Sequence, residues 1–441
     1  MNNKYSLSER LSFHNPWWQT GRVPKVFLKE FKREIFSRFL SYLPSERAIL
    51  LKGPRRVGKT TLFYQLVDKL IKDRINPKEI CYISFDDPLL KIPLEEILRV
   101  YEEYRGKRFN QGRSYLFLDE AQFLKDWELT VKLYIDRKFP IKFFISGSSI
   151  SLLTQKVDSL AGRTIEEMLF PFSFREYIGL FAPSINLKEH IAQKEGFPNS
   201  FPLSLSPFIE EIRILFRSFL QKGGFPHLYE EEEEMFPRLL KDDILDKVIF
   251  RDLVEMYKLR EPSSLERLFY YLGKNTASVL NLTTLSQTLG ISRVVVERYI
   301  SYLERSLLYF RLPKFSSSLK ERLRSNPKGH IIDPSLGNLF GANKDQILES
   351  AISSSLFPRF KGNIYFWRDQ FHEVDIIVDK EEIIPIEIKN SESEEVPKSL
   401  IYLMEKLNLS KGFVVYQGRF KKTHLKGKKV VFYPSWYFLL L

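Results

Sequence analysis

From about residue 21 to residue 180, short apolar runs alternate with amphipathic stretches. The apolar runs fall at 48–52, 80–85, 115–118, 142–146 and 165–170. Strands that alternate with helices predict a parallel sheet covered on both faces. Before this region lies a polar, aromatic arm that ends in Asn15-Pro16-Trp17-Trp18. After it, residues 185–260 read as helical, with a break at Gly223-Gly224-Phe225-Pro226. Residues 263–325 read as helices followed by a short strand-rich segment, and the last hundred residues return to mixed α/β. No fixed-period repeat is visible.

Candidate chemistry begins where the first strand ends. Gly53, Pro54, Arg55, Arg56, Val57, Gly58, Lys59 and Thr60 spell a complete phosphate-binding loop, with Thr61 opening the next helix. Glycines let backbone N–H groups close around phosphate oxygens, and the helix N-terminus adds partial positive charge. Lys59 is expected to reach the β- and γ-phosphates of ATP, and the Thr60 hydroxyl to ligate Mg²⁺. A later apolar strand ends in Asp119-Glu120. Ligands bind at that end of strands in open α/β sheets. Asp119 is expected to hold Mg²⁺, and Glu120 to position the attacking water. Ser148 or Ser149, after the strand at 142–146, is a candidate γ-phosphate sensor. Arg163 is a candidate arginine finger, acting on its own chain or on a neighbour. Trp17 and Trp18 either stack on adenine or anchor the arm, and anchoring is the expectation.

The order of these motifs, with Trp127-Glu128, Ser146-Gly147-Ser148-Ser149, Pro171-Phe172-Ser173-Phe174-Arg175-Glu176 and Gly223-Gly224-Phe225-Pro226, resembles the AAA+-related ATPases of archaea and bacteria. The likeness spans nearly the whole chain after residue 20. It implies an α/β fold: a parallel P-loop sheet of AAA+ type, a helical lid, a winged-helix module and a C-terminal α/β domain like the restriction endonucleases. The boundaries expected are 1–20 for the arm, 21–180 for the ATPase domain, 181–262 for the lid, 263–330 for the winged helix and 331–441 for the nuclease-like domain.

Two distal patterns carry their own chemistry. A helix from 282 to 289 closes at Gly290, and Ser292 caps a second helix that starts at Arg293, which is a helix-turn-helix pattern. Arg293 and Arg298 are then candidate DNA contacts, with Lys314, Lys320, Arg322 and Arg324 along a basic wing. Further on, the strand-like runs 373–379 and 383–389 form a hairpin that brings Asp375 beside Glu387. Glu387 and Lys389 share one face. Two acids and a lysine on one face make a candidate hydrolytic site, with Mg²⁺ on Asp375 and Glu387 and water activated by Lys389. The pattern Asp375…Glu387-Ile388-Lys389 is similar to the signature of restriction-endonuclease-like nucleases. That fold implies a further carboxylate from Glu349 on a preceding helix.

Charge agrees with an anionic partner. The 441 residues carry a net charge of +13, which favours DNA. The single cysteine, Cys81, excludes an internal disulfide framework and a thiolate zinc cluster, and it fits a reducing cytoplasm. No signal-peptide pattern and no long apolar run is visible, so a cytoplasmic protein with no membrane contact is expected. Two functions compete: ATP hydrolysis coupled to DNA binding or processing, and an ATP-gated switch acting on a protein partner with an idle nuclease-like domain. A homo-oligomer is expected if Arg163 acts between copies.

Overall fold

The computed structural model describes residues 6–147, 160–191 and 196–441. The chain divides into two compact units, Met1–Phe170 and Pro171–Leu441.

The first unit is built on five strands: β1 (Ala48–Lys52), β2 (Ile80–Ser84), β3 (Ser114–Asp119), β4 (Ile141–Gly147) and β5 (Thr164–Met168). All pairings are parallel, in the order β2-β3-β4-β1-β5. β1, β3 and β4 are buried along their whole length. Continuous apolar runs suit strands covered on both faces. Helix Lys59–Lys72 follows β1 and buries Leu62, Phe63, Leu66, Val67 and Leu70, the three-and-four spacing of one helical face. Phe63 meets Phe117 of β3, whose ring stacks on Phe144 of β4.

The aromatic arm closes the open edge of this sheet. Asn15 copies a strand: its Oδ1 accepts from the N–H of Tyr82 (2.6 Å), and its Nδ2 donates to the Tyr82 carbonyl (2.8 Å). Trp17 and Trp18 are buried, and both indole N–H groups donate to the Ile80 carbonyl. Trp18 also stacks on Tyr101 and Tyr104. The tryptophans therefore anchor the arm, and the unpaired backbone of edge strand β2 gains partners.

The second unit opens with helices. Ser173 and Glu176 make a reciprocal capping box at the start of Phe174–Phe181. The Gly223-Gly224 break has a steric cause. Gly224 donates its N–H to buried Asp333 (2.7 Å) and accepts from the N–H of Phe172 (2.7 Å). A Cβ on Gly224 would lie 2.4 Å from the Phe172 carbonyl oxygen.

Next come helix Pro262–Lys274, β6 (Ser278–Val279), helices Leu282–Leu289 and Arg293–Arg305, then β7 (Tyr309–Leu312) and β8 (Lys328–Ile331). These strands pair antiparallel in the order β6-β8-β7. The segment expected as a free basic wing differs from that expectation. It contains a short helix, Leu319–Arg324. Lys314 pairs with Glu321, and Arg322 lies over the rings of Phe315 and Tyr365. Phe315 belongs to the apolar core, so the segment is held inward; Lys320 and Arg324 remain exposed.

The last sheet holds β9 (Ile364–Arg368), β10 (Glu373–Asp379), β11 (Ile383–Ile388), β12 (Lys411–Tyr416), β13 (Lys421–Leu425) and β14 (Lys428–Pro434). Its order is β13-β14-β12-β11-β10-β9, with β11, β12 and β14 parallel and the other pairings antiparallel. Helix Lys398–Lys406 packs Leu400, Leu403 and Met404 into one core with Val374, Ile377, Val414 and Phe432. No helix among the described residues is long and apolar enough to cross a membrane.

Candidate functional sites

The first site forms at the C-terminal ends of β1, β3 and β4. Residues 53–58 leave β1 and turn into the helix at Lys59, with Arg56 at φ 64° and Gly58 at φ 92°. Gly53 is required by proximity: a Cβ there would sit 2.4 Å from the Leu169 carbonyl oxygen. Lys59 is buried, and its ammonium donates to the carbonyls of Gly53 (3.0 Å) and Pro54 (2.8 Å), across the loop it belongs to. Thr61 lies in the first helical turn, partly exposed.

Strand order explains what gathers around Asp119. β4 lies between β1 and β3, so Ser146 near the end of β4 sits beside the end of β3. Three hydroxyls hold the buried Asp119 carboxylate. Thr60 Oγ1 donates to Oδ2 (2.6 Å), Tyr82 OH donates to the same oxygen (2.7 Å), and Ser146 Oγ donates to Oδ1. Burial, then the neighbouring charge of Glu120, pushes the Asp119 carboxyl above its ordinary range, while the hydroxyls pull the other way. All three donors are neutral. The carboxylate charge is therefore oriented without being cancelled, which fits a cation held jointly by Thr60 and Asp119. Glu120 follows in the left-handed region, φ 54°, with its N–H on Ser146 Oγ (3.3 Å) and its carboxylate accepting from Gln122 Nε2.

Of three further residues here, Ser146 lay in a motif without an assigned role, and Tyr82 and Arg33 carried no sequence signal. Ser146 and Tyr82 reach Asp119 only through strand order. Arg33 donates to the carbonyls of Val57 and Phe170, both at 2.9 Å, and so ties the loop to the chain beyond β5. Ser148 and Ser149 lie outside the described residues.

Arg163 is not near this loop. Its carbonyl accepts from the N–H of Ala48, the first residue of β1. At about 3.3 Å per residue, that is roughly 13 Å from the end of β1 where the loop begins. Its guanidinium makes a two-point ion pair with Asp136. Because β5 runs parallel to β1, the start of β5 must lie at the far end of the sheet. The structure thus places Arg163 apart from the phosphate loop of its own chain, in an ion pair with Asp136.

The second site joins the acids expected from the hairpin. β10 and β11 pair with Ile376 opposite Ile386, which carries Asp375 alongside Glu387. Asp375 Oδ2 accepts from the Ile388 N–H (2.9 Å), and Lys389 Nζ lies 3.0 Å from Glu387 Oε1. Glu349 arrives from helix Lys344–Leu356. The residue at the centre, however, is Lys328 of β8, which the sequence did not indicate. Its side chain is 3% exposed. Its ammonium lies 2.5 Å from Glu349, 2.7 Å from Glu373 and 3.2 Å from Asp375.

Burial would lower the Lys328 pKa, but Asp375, Glu349 and Glu373 together raise it. Burial and then Asp375 raise Glu349 well above the ordinary carboxylate range, and burial and then Asp375 push Glu387 up to about 8. The expectation of Mg²⁺ on Asp375 and Glu387 does not fit this arrangement. Among the described residues, no group of three or more His, Cys, Asp or Glu is placed to hold a metal ion. The physical reason is that the carboxylates converge on an ammonium.

The helix-turn-helix pattern is present in outline. Asn281 caps the first helix by accepting from Thr283 and Thr284, Gly290 ends it at φ 68°, and Ser292 caps the second by accepting from Val295. Arg293, Val294 and Arg298 are exposed, while Val296, Tyr299, Ile300 and Leu303 are buried. Val294 is 68% exposed.

Comparisons with known proteins divide the chain in the same region. Residues 45–178 match the model of an AAA domain. Residues 213–346 and 344–436 match two models described as domains of unknown function, DUF8612 and DUF4143. An uncharacterized protein of Methanocaldococcus jannaschii is 27% identical, over 75% of this chain and 71% of its own length. An uncharacterized protein of Haemophilus influenzae is 23% identical, over 88% and 93%.

Among solved structures, C. elegans PCH-2 is 17% identical, with a TM-score of 0.28 over 48% of this chain and 56% of its own. The replication initiator DnaA bound to AMPPCP and single-stranded DNA is 15% identical, with a TM-score of 0.27 over 69% and 92%. Both scores are well below those of a shared overall arrangement. The domain match, the five-stranded parallel sheet and the loop geometry agree: the N-terminal unit is an AAA-type P-loop fold, the kind that binds and hydrolyses nucleotide.

Proposed function

We propose that this chain is a Mg²⁺-dependent ATP hydrolase whose nucleotide cycle is coupled to DNA binding by its C-terminal unit. The observation that carries the ATPase reading is the Thr60–Asp119 hydrogen bond of 2.6 Å beside the Lys59 loop. A hydroxyl and a carboxylate paired at the start of this helix would hold Mg²⁺ beside the β- and γ-phosphates. Mg²⁺ bound there screens phosphate charge. Lys59 would exchange the carbonyls of Gly53 and Pro54 for phosphate oxygens. Glu120, held by Gln122, orients the attacking water.

DNA binding is supported by the net charge of +13 and by the exposed Arg293 and Arg298 on the second helix of the pair. Over 262–331 the order is helix, strand, two helices, strand, short helix, strand, which supports a winged-helix reading of this module. The test is phosphate release by the full chain, with and without duplex and single-stranded DNA, beside Arg293→Ala/Arg298→Ala. DNA-stimulated turnover that weakens in the double variant supports the reading. Turnover that ignores DNA, with no gel shift, favours the second reading, a nucleotide-gated switch for a protein partner. The ion-paired state of the acidic centre favours binding over cutting in either case.

A further inference from the structure

Lys328 has no reason in its own sheet to meet acids. It is the first residue of β8, paired with Leu312 of β7 and Val279 of β6, and these pairings fix its backbone. Its side chain leaves that sheet and ends among carboxylates from two other elements: Glu349 from a helix, and Glu373 and Asp375 from β10.

The remaining acid capacity is also committed. Asp375 Oδ2 takes the Ile388 N–H, Arg368 lies 3.5 Å from Glu373 Oε2, and Lys389 pairs with Glu387 Oε1. Glu349 Oε1, Glu387 Oε2 and Ser353 Oγ are buried here without a hydrogen-bond partner, Glu349 Oε1 meeting Lys328 as an ion pair at 2.5 Å. The buried ammonium faces three acids, of which Glu349 is pushed by burial well above the ordinary carboxylate range and so towards its neutral form. Removing either sign leaves the other uncompensated, which is costly in a water-poor interior.

A divalent cation shared by Glu349, Asp375 and Glu387 would have to displace that ammonium. The Lys328 ammonium already lies 2.5 Å from Glu349 and 3.2 Å from Asp375, so a divalent ion on the same oxygens would meet a like charge at contact range.

We propose that Lys328 is the resident cation of this acidic centre and bars a divalent metal from it, so that replacing Lys328 by a neutral side chain converts the centre into a divalent-cation site. The centre as it stands is then structural, and the C-terminal unit holds its ligand without metal-dependent cutting.

The test is a Mn²⁺ titration of the full chain without ATP or DNA, so that neither turnover nor DNA binding enters the outcome. Four proteins are compared: wild type, Asp375→Asn, Lys328→Met and Lys328→Met/Asp375→Asn. The expected result is equal Mn²⁺ stoichiometry for wild type and Asp375→Asn, one additional Mn²⁺ per chain for Lys328→Met, and loss of that ion in the double variant. Mn²⁺ binding by the wild type that disappears in Asp375→Asn overturns the proposal. So does a folded Lys328→Met that binds no more than wild type. If Lys328→Met does not fold, the wild type and Asp375→Asn decide alone: equal stoichiometry supports the resident ammonium, and an Asp375-dependent ion overturns it.

Discussion

The two acidic centres of this molecule each combine a strand-borne aspartate with a buried lysine, and they use the lysine in opposite ways. In the P-loop site, the Lys59 ammonium rests on the carbonyls of Gly53 and Pro54, while Thr60, Tyr82 and Ser146 hold Asp119 with neutral hydroxyls. In the C-terminal site, Lys328 sits directly on Asp375, Glu349 and Glu373. Neutral donors orient a carboxylate and leave its charge to act on a ligand; a buried ammonium consumes that charge. The same residue types therefore yield a site suited to a bound cation in one unit and a self-neutralised cluster in the other. Residue inventory does not distinguish them, and partner identity does.

This contrast can be broken in four ways. The largest effect is expected from Lys328→Met. Leaving these three part-buried acids without their cation should cost up to about 3–5 kcal/mol of stability, read from urea unfolding, and added Mn²⁺ should recover part of it. A variant as stable as wild type would mean that the acids are protonated or hydrated, with no need of Lys328. Next, Lys59→Ala should lower ATP turnover by about 10²–10³-fold, the usual result of removing one transition-state donor. Phosphate release at the wild-type rate would sink the site assignment. Glu120→Gln should keep ATP binding, measured with a fluorescent analogue, and slow hydrolysis by about 10²-fold. Equal loss of both would make Glu120 a structural residue.

The fourth test is a pH dependence. Glu387 has its folded pKa raised to about 8, by burial first and Asp375 second. The folded state thus favours the protonated form. Its contribution to stability is complete below the ordinary carboxylate pKa and is lost as pH rises towards 8. Thermal melts between pH 5 and pH 9 should show the wild type losing stability across that range, and Glu387→Gln should flatten the loss. Parallel curves for the two proteins would show that Glu387 is ionised throughout.

Much of the first unit was legible because its signals are contiguous. All five strand-like runs became strands, the first four mostly apolar and β5 carrying Glu166 and Glu167 within it. Gly53 to Thr60 was readable because a phosphate loop is a local conformation joining one strand to one helix. Asp119 followed from its place at a strand end. Ser146, by contrast, became a partner of Asp119 only because β4 inserts between β1 and β3, and strand order is a non-local property. Arg163 shows the same limit from the other side. Its sequence context suggested catalysis, yet a parallel strand places it at the wrong end of the sheet for its own chain's loop.

The C-terminal unit divides along the same line. The hairpin over 373–388 and the meeting of Asp375 with Glu387 were determined by the sequence alone, since alternation and a short turn set the register. Glu349 was anticipated by resemblance. Lys328 was not, because Pro327-Lys328-Gly329-His330 contains no charge pattern that marks a partner 21 or 47 residues away in Glu349 and Asp375. What the sequence determined were elements and the motifs lying within one element. What only the tertiary structure decided was which charges meet, because ion pairing in a buried site depends on the packing of separate elements and on the exclusion of water from between them.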